Sequence, residues 1–187
     1  GDELSEDAKA DAAIFMEIDR QTDPSVLEEL YCSFERVLED NRAAVDDWLA
    51  MREKVRSIID ELNHAHEKLD SNEVEETKAF LHWIEDHHFS FLGIRDYELI
   101  QKGQETILQA TPETGLGVLR PNLSKSSARS ITAMTPEARE LTLSSRILVM
   151  SKTNTLASVH RDAYTDYIGV KRFNKQGQVI GECRIIG

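Results

Sequence analysis

Cysteine, proline, glycine and aromatic residues are all sparse in this chain. Among its 187 residues are two cysteines, four prolines and nine glycines, and aromatic side chains make up 6%. Cys32 and Cys183 lie far apart in unlike contexts and form no metal-ligand spacing, so a reduced, cytoplasmic setting is the simplest expectation. No apolar run approaches the roughly 20 residues that span a bilayer. Gly1–Ala10 is acidic rather than basic and then apolar, which does not read as a signal peptide. A basic excess is also missing. The net charge is −12, and phosphate binding needs a basic footprint, so nucleic acid is not the expected partner.

What is present divides unevenly. Residues 1–80 hold 23 acidic and 9 basic side chains, against 11 and 13 in residues 81–187. Eight of the nine glycines follow residue 90. An acidic, glycine-poor first part therefore precedes a near-neutral, glycine-rich second part, a shift expected of two structural units. Hydrophobic residues make up 40%, enough for a packed core.

Alternation of Ile14, Met16 and Ile18 slightly favours a strand near Ala12–Asp19. Thr22-Asp23-Pro24 is a helix start, with Pro24 at the first helical position. Leu27, Leu30, Tyr31, Phe34, Val37 and Leu38 then recur at three- and four-residue steps, which predicts a helix to about Glu39. A second, heptad-like helix is expected from Arg42 to Leu69, pairing with the first as a hairpin or with another subunit. Ser71-Asn72 should break it and cap a third helix, Val74–Asp86.

The second part alternates with period two. Phe89–Ile100 and Glu105–Ala110 read as strands around a turn at Lys102-Gly103. Asn122–Ser130 is a polar loop, Thr135–Leu143 a short helix, and Ile147–Ser151 a buried type of strand. Asp166–Phe173 and Gln178–Ile186 form a hairpin across Asn174–Gly177. Gly169 and Gly181 sit inside these strands, where glycine marks a bulge or the close approach of another group. The fold class is α+β, with a mostly antiparallel sheet of about five strands.

Chemistry-bearing residues crowd one stretch: His160, Arg161, Tyr164, Asp166, Tyr167, Lys171 and Arg172. They offer donors for a carboxylate or phosphate. They include neither a nucleophile with a paired base nor a metal-ligand set, so bracing of the sheet, or a ligand or interdomain contact, is expected before catalysis. Glu85-Asp86-His87-His88 resembles a metal motif, but adjacent helical residues diverge by about a hundred degrees. Gly115-Leu116-Gly117 looks like a fragment of a phosphate loop, yet lacks the third glycine and reads better as a turn before a short strand, Val118-Leu119. Cys183 reads as a small core residue.

Three stretches together resemble the N-terminal regulatory region of the large bacterial NAD-specific glutamate dehydrogenases. They are Glu17–Met51, Trp83–Leu99 with Gly115–Arg120, and Val159–Gly187. The resemblance implies a tail or remnant strand of a preceding ACT-like module over residues 1–21, a helical hairpin linker over 22–72 and a PAS-like domain over 73–187. It implies a parent that oxidises L-glutamate to 2-oxoglutarate and ammonia with NAD bound elsewhere, and no catalytic, cofactor or metal residues in this segment. Its expected partners are other domains and subunits of the parent, with an amino acid as candidate effector and neither nucleic acid nor membrane. A sensory module and a structural scaffold both fit; an independent hydrolase or metalloenzyme is the remaining alternative.

Overall fold

The computed structural model describes residues 14–64, 69–103, 105–121, 123, 131–132, 144 and 146–187. The chain divides into two units, 1–33 and 34–187. In the first, residues 14–23 form neither strand nor helix, and Ile14, Phe15, Met16 and Ile18 are exposed. The strand expected there does not form over the described residues, because no neighbouring strand takes up its backbone groups. Helix α1, Pro24–Asp46, starts as its sequence dictates. Asp23 Oδ1 accepts hydrogen bonds from the Ser25 N–H at 2.9 Å and its hydroxyl at 2.7 Å.

Helix α2 spans Trp48–Asn63 and α3 spans Ser71–Trp83. The helix break expected near residue 40 lies at Asp47, a one-residue interruption. The Asp47 N–H bonds to Ala43 O and the Met51 N–H to Asp47 O, so the helical ladder runs on through it. No loop separates α1 from α2. The helical hairpin is made instead by α2 and α3, where Arg52 in the first turns of α2 reaches Glu85 just past the end of α3. Helix α2 ends at Asn63, short of the predicted Leu69. Asp70, one residue before the predicted break, caps α3 by accepting from the N–H groups of Asn72 and Glu73. A left-handed His87, φ +59°, ends the helical turn that follows.

Among the described residues seven strands follow: β1 Gly93–Lys102, β2 Glu105–Ala110, β3 Leu116–Gly117, β4 Ile131–Thr132, β5 Leu148–Leu156, β6 Tyr164–Phe173 and β7 Val179–Ile186. They form one antiparallel sheet in the order β4-β2-β1-β7-β6-β5, with the short β3 also on β1. The five long strands fall where the sequence reading places strands, but β5 runs on to Leu156 instead of stopping at Ser151 and, lying at the sheet edge, is half-buried to exposed and not the buried type expected. β1 begins at Gly93 rather than at Phe89. The short strand expected at Val118-Leu119 is Leu116–Gly117, because Gly117 lies in the left-handed region, φ +61°, and turns the chain there. The predicted loop 122–130, apart from residue 123, and the helix 135–143 lie outside the described residues.

Strand alternation gives the sheet two different faces. One carries Ile94, Ile168, Val170, Cys183 and Ile185. Against it lie Met51, Val55, Ile58, Ile59 and Leu62 of α2 and Leu81 of α3, all buried. Their spacing of three and four residues forms a single apolar stripe on α2. The other face carries buried polar side chains together with a smaller apolar cluster of Tyr97, Leu108 and Ala110.

Candidate functional site

The seven residues singled out in the sequence do not form one cluster, because β6 sends alternate side chains to opposite faces. Asp166 and Arg172 lie on the helix side. Asp166 accepts from Lys152 Nζ at 2.5 Å and Arg161 Nη2 at 2.6 Å, and these cations hold its carboxyl below the usual range, Lys152 foremost. Arg172 reaches Glu61 at 3.3 Å and Asp96 at 3.9 Å. Tyr164 is exposed. His160 adopts a left-handed backbone, φ +76°, uncommon for a residue with a side chain. With Arg161, Asp166 and Tyr167 it lines a cleft of about 390 Å³ shared with Trp83 and His88.

Tyr167 and Lys171 lie on the face away from the helices, beside residues that the sequence did not single out. The register places Arg95, Arg184 and Gly169 in one cross-strand row, and Tyr97, Glu182 and Lys171 in the next. Arg95 is 1% exposed, Tyr97 3%, Glu182 4% and Lys171 2%. The Tyr167 hydroxyl donates to Glu182 Oε1. Burial, reinforced by the Glu182 charge, pushes this phenol well above its ordinary value, so it remains a donor at neutral pH. Arg184 pairs with Glu182 at 3.5 Å and stacks its guanidinium 3.9 Å from the Tyr97 ring centre and 5.0 Å from that of Tyr167. Lys171 Nζ donates to the Ser144 carbonyl at 2.9 Å, and burial pulls its pKa down.

Gly169 makes this arrangement fit. A Cβ there would stand 2.9 Å from the Glu182 carboxyl and from the Tyr167 hydroxyl oxygen. The interior glycine thus marks the close approach that its position in the strand predicts, and the approaching groups are Glu182 and Tyr167. Arg95 is less well provided for. Its Nε and Nη2 are buried with no hydrogen-bond partner, as is Nε of Arg184. The sequence does carry a trace of this site in β7, where Glu182 and Arg184 alternate with Gly181, Cys183 and Ile185; in β1 no such contrast marks Arg95 and Tyr97, which flank Asp96. Alternation alone presents such a face as solvated, and only the three-dimensional register shows it buried.

The remaining sequence motifs resolve into structure. Arg52 and Arg56 each donate to Glu85 at 2.6 Å. Burial works against ionisation of Glu85, yet the two arginines outweigh it and hold its carboxyl low. The His87 ring lies 5.8 Å from Trp48, and His88 stacks on Trp83 at 5.0 Å, so the two histidines diverge. No group of three His, Cys, Asp or Glu side chains among the described residues could hold a metal ion. Cys183 is fully buried, and burial raises its thiol pKa well above the ordinary value. No helix among the described residues is long and apolar enough to cross a membrane.

Fold and site together define an α+β module with a helix-packed apolar sheet face and a buried, cation-rich polar face. No family model matches the chain. It is 32% identical over 178 residues to the NAD-specific glutamate dehydrogenase of Halomonas elongata, covering 95% of this chain and 11% of that protein. It is 29% identical over 184 residues to the NAD-specific glutamate dehydrogenase of Pseudomonas aeruginosa, covering 97% of this chain and again 11% of the other. Nearly the whole chain therefore corresponds in sequence to a small segment of NAD-specific glutamate dehydrogenases, which are oxidoreductases. The glycines at 115 and 117 do not fit NAD. The Gly117 N–H, which a pyrophosphate would need, donates to Asp47 Oδ2 at 2.7 Å, and the turn opens no helix.

Proposed function

We propose that this chain is a non-catalytic, ligand-sensing module from the N-terminal region of a large cytoplasmic NAD-dependent glutamate dehydrogenase. The parent converts L-glutamate, NAD and water to 2-oxoglutarate, ammonia and NADH, with NAD and the reacting atoms held outside this segment. Residues 73–187 act as its PAS-like domain and 22–72 as the helical link to an ACT-like neighbour. The observation that carries the sensing role is the buried polar face around Arg95 and Arg184, whose N–H groups have capacity that the surrounding described residues leave unused. A residue that only braced the sheet would be satisfied by its neighbours.

The test is steady-state NAD reduction by the full-length parent, wild type and Arg95→Met, across a series of amino acids and organic acids as effectors. A changed or abolished response to an effector is expected. Identical effector responses in the two enzymes would overturn the sensing role.

A structural scaffold within the same enzyme is the second reading, favoured by one observation. Leu27, Tyr31, Phe34, Val37 and Leu38 remain exposed along α1, although their spacing is that of a packed helix face. Other domains or a second subunit of the parent would cover them. A structure of the parent with this stripe in solvent would remove that reading.

A further inference from the structure

We infer that the polar sheet face is a binding site for a small organic carboxylate, received between the guanidiniums of Arg95 and Arg184. This rests on the sensing role proposed above and assigns its ligand class. Arg95 and Arg184 are direct cross-strand partners on β1 and β7. Like charges directly opposite each other repel, and repulsion grows as water is removed. Arg184 has Glu182 as a counter-charge at 3.5 Å. Arg95, 1% exposed, is paired with no carboxylate among the described residues. A buried, uncompensated guanidinium is among the costliest groups a fold can carry. The unused donors are Nε and Nη2 of Arg95 and Nε of Arg184. The Nε and Nη2 of one guanidinium form the fork that meets a carboxylate in two parallel hydrogen bonds.

The surroundings favour an organic carboxylate over inorganic phosphate. Beyond the arginines the wall is the Tyr97 ring with Leu108 and Ala110, all buried, which suits a short carbon skeleton. Glu182, close by, adds a negative charge that disfavours a doubly charged phosphate more than a singly charged carboxylate. Gly169 lets Glu182 and the Tyr167 hydroxyl pack against the strand beside Arg184, since a Cβ there would stand 2.9 Å from both.

The experiment titrates the full 187-residue chain with acetate, succinate, L-glutamate and inorganic phosphate at constant ionic strength, with chloride as the reference. Two readouts are followed: the melting temperature and the Arg Nε–H resonances. At a hundredfold excess over Kd, an organic carboxylate raises Tm by about 5 °C or more and shifts the Arg95 Nε–H signal. Arg95→Lys keeps the charge without the fork and weakens binding about tenfold or more. Arg95→Met abolishes it. If that variant fails to fold, the wild-type Arg95 resonance and the lysine variant still decide. Failure of every carboxylate in both readouts overturns the site. Phosphate binding as tight as any carboxylate overturns the ligand class, and binding retained in Arg95→Met overturns the placement. Carboxylate binding without any kinetic effect in the parent would leave this site standing and sink the sensing role. A kinetic defect in Arg95→Met without carboxylate binding would do the reverse.

Discussion

Arg120 grips Asp47 in a two-pronged ion pair across 73 residues of sequence, with Nε to Oδ2 and Nη2 to Oδ1 each at 2.6 Å. Asp47 is the residue that interrupts the long helix, and its Oδ2 also accepts from the Gly117 N–H at 2.7 Å. The interruption is thus tied to the turn between β3 and the following loop. Charge-assisted bonds of this kind contribute about 1.5–3 kcal/mol each to stability when partly buried. Asp47→Ala is expected to lower the urea-unfolding free energy by about 2–3 kcal/mol. A double-mutant cycle with Arg120→Met should show a coupling of about 1 kcal/mol or more. A coupling near zero would mean that the pair adds nothing.

Two glycines with the same backbone sign should respond differently to alanine. Gly103 and Gly117 have φ of +66° and +61°. A Cβ at Gly103 meets nothing within 4 Å, so Gly103→Ala carries only the left-handed cost of about 1–2 kcal/mol. A Cβ at Gly117 would stand 2.1 Å from the Leu92 carbonyl oxygen, which is backbone and cannot swing away. Gly117→Ala should therefore lose about 3 kcal/mol or more, or fail to fold. Equal losses measured by chemical denaturation would contradict the contact.

The helix layer docks through side chains with no exposure at all, Met51 and Val55 of α2 and Leu81 of α3. Met51→Ala or Leu81→Ala should each cost about 2–5 kcal/mol, whereas Leu49→Ala, exposed on the same helix as Met51, should cost under about 0.5 kcal/mol. Thermal melts of the three variants check the ordering.

The two thiols should differ in reactivity. Cys32 is exposed and Cys183 buried. Cys183 also has its pKa raised by burial and, to a smaller extent, by Asp96. One thiol per native chain should react with a thiol-specific disulfide reagent and two after unfolding. Prompt reaction of both in the native protein would show that β7 is not packed as described.

Acid should weaken the molecule in a defined window. Asp47 has its carboxyl pKa lowered by Arg120, and in Glu85 the two arginines outweigh burial with the same result. A folded-state pKa below the unfolded value, about 4 for these groups, makes a contribution that is whole above pH 4. It is lost as pH falls through the lower folded-state values. Arg120→Met should flatten the dependence of stability on pH below 4, as urea midpoints between pH 2 and 6 would record.

How far the sequence revealed this fold varies by element. Four of the five long strands were legible from alternation and flanking turn residues; β5 was legible only as the short apolar run Ile147–Ser151, because its polar continuation to Leu156 lies at the sheet edge and carries no apolar face. The α1–α2 boundary was not, because Asp47 breaks the helix through a partner 73 positions away, and no local signal marks a tertiary ion pair. The polar cluster at 160–172 was legible as composition but not as geometry. Strand alternation divides Asp166 and Arg172 from Tyr167 and Lys171, and the residues that join the latter pair come from β1 and from β7. The interior strand glycines Gly169 and Gly181 were the pointers, because such a glycine needs a reason: at Gly169 it is Glu182 and Tyr167, and at Gly181 it is the Tyr97 carbonyl, 2.2 Å from where a Cβ would stand.

The sheet order also has a consequence in time. β7, the last strand in chain order, lies between β1 and β6 and bonds to both. While the chain emerges from the ribosome, β1 and β6 each present an open edge until that last segment arrives. Closure of the sheet thus waits on a long-range zipper rather than on local hairpins alone, a topology that slows folding and exposes sticky edges in the interval. Mutations in Val179–Ile186 should therefore reduce the yield of soluble protein made in cells more than their effect on equilibrium stability would suggest.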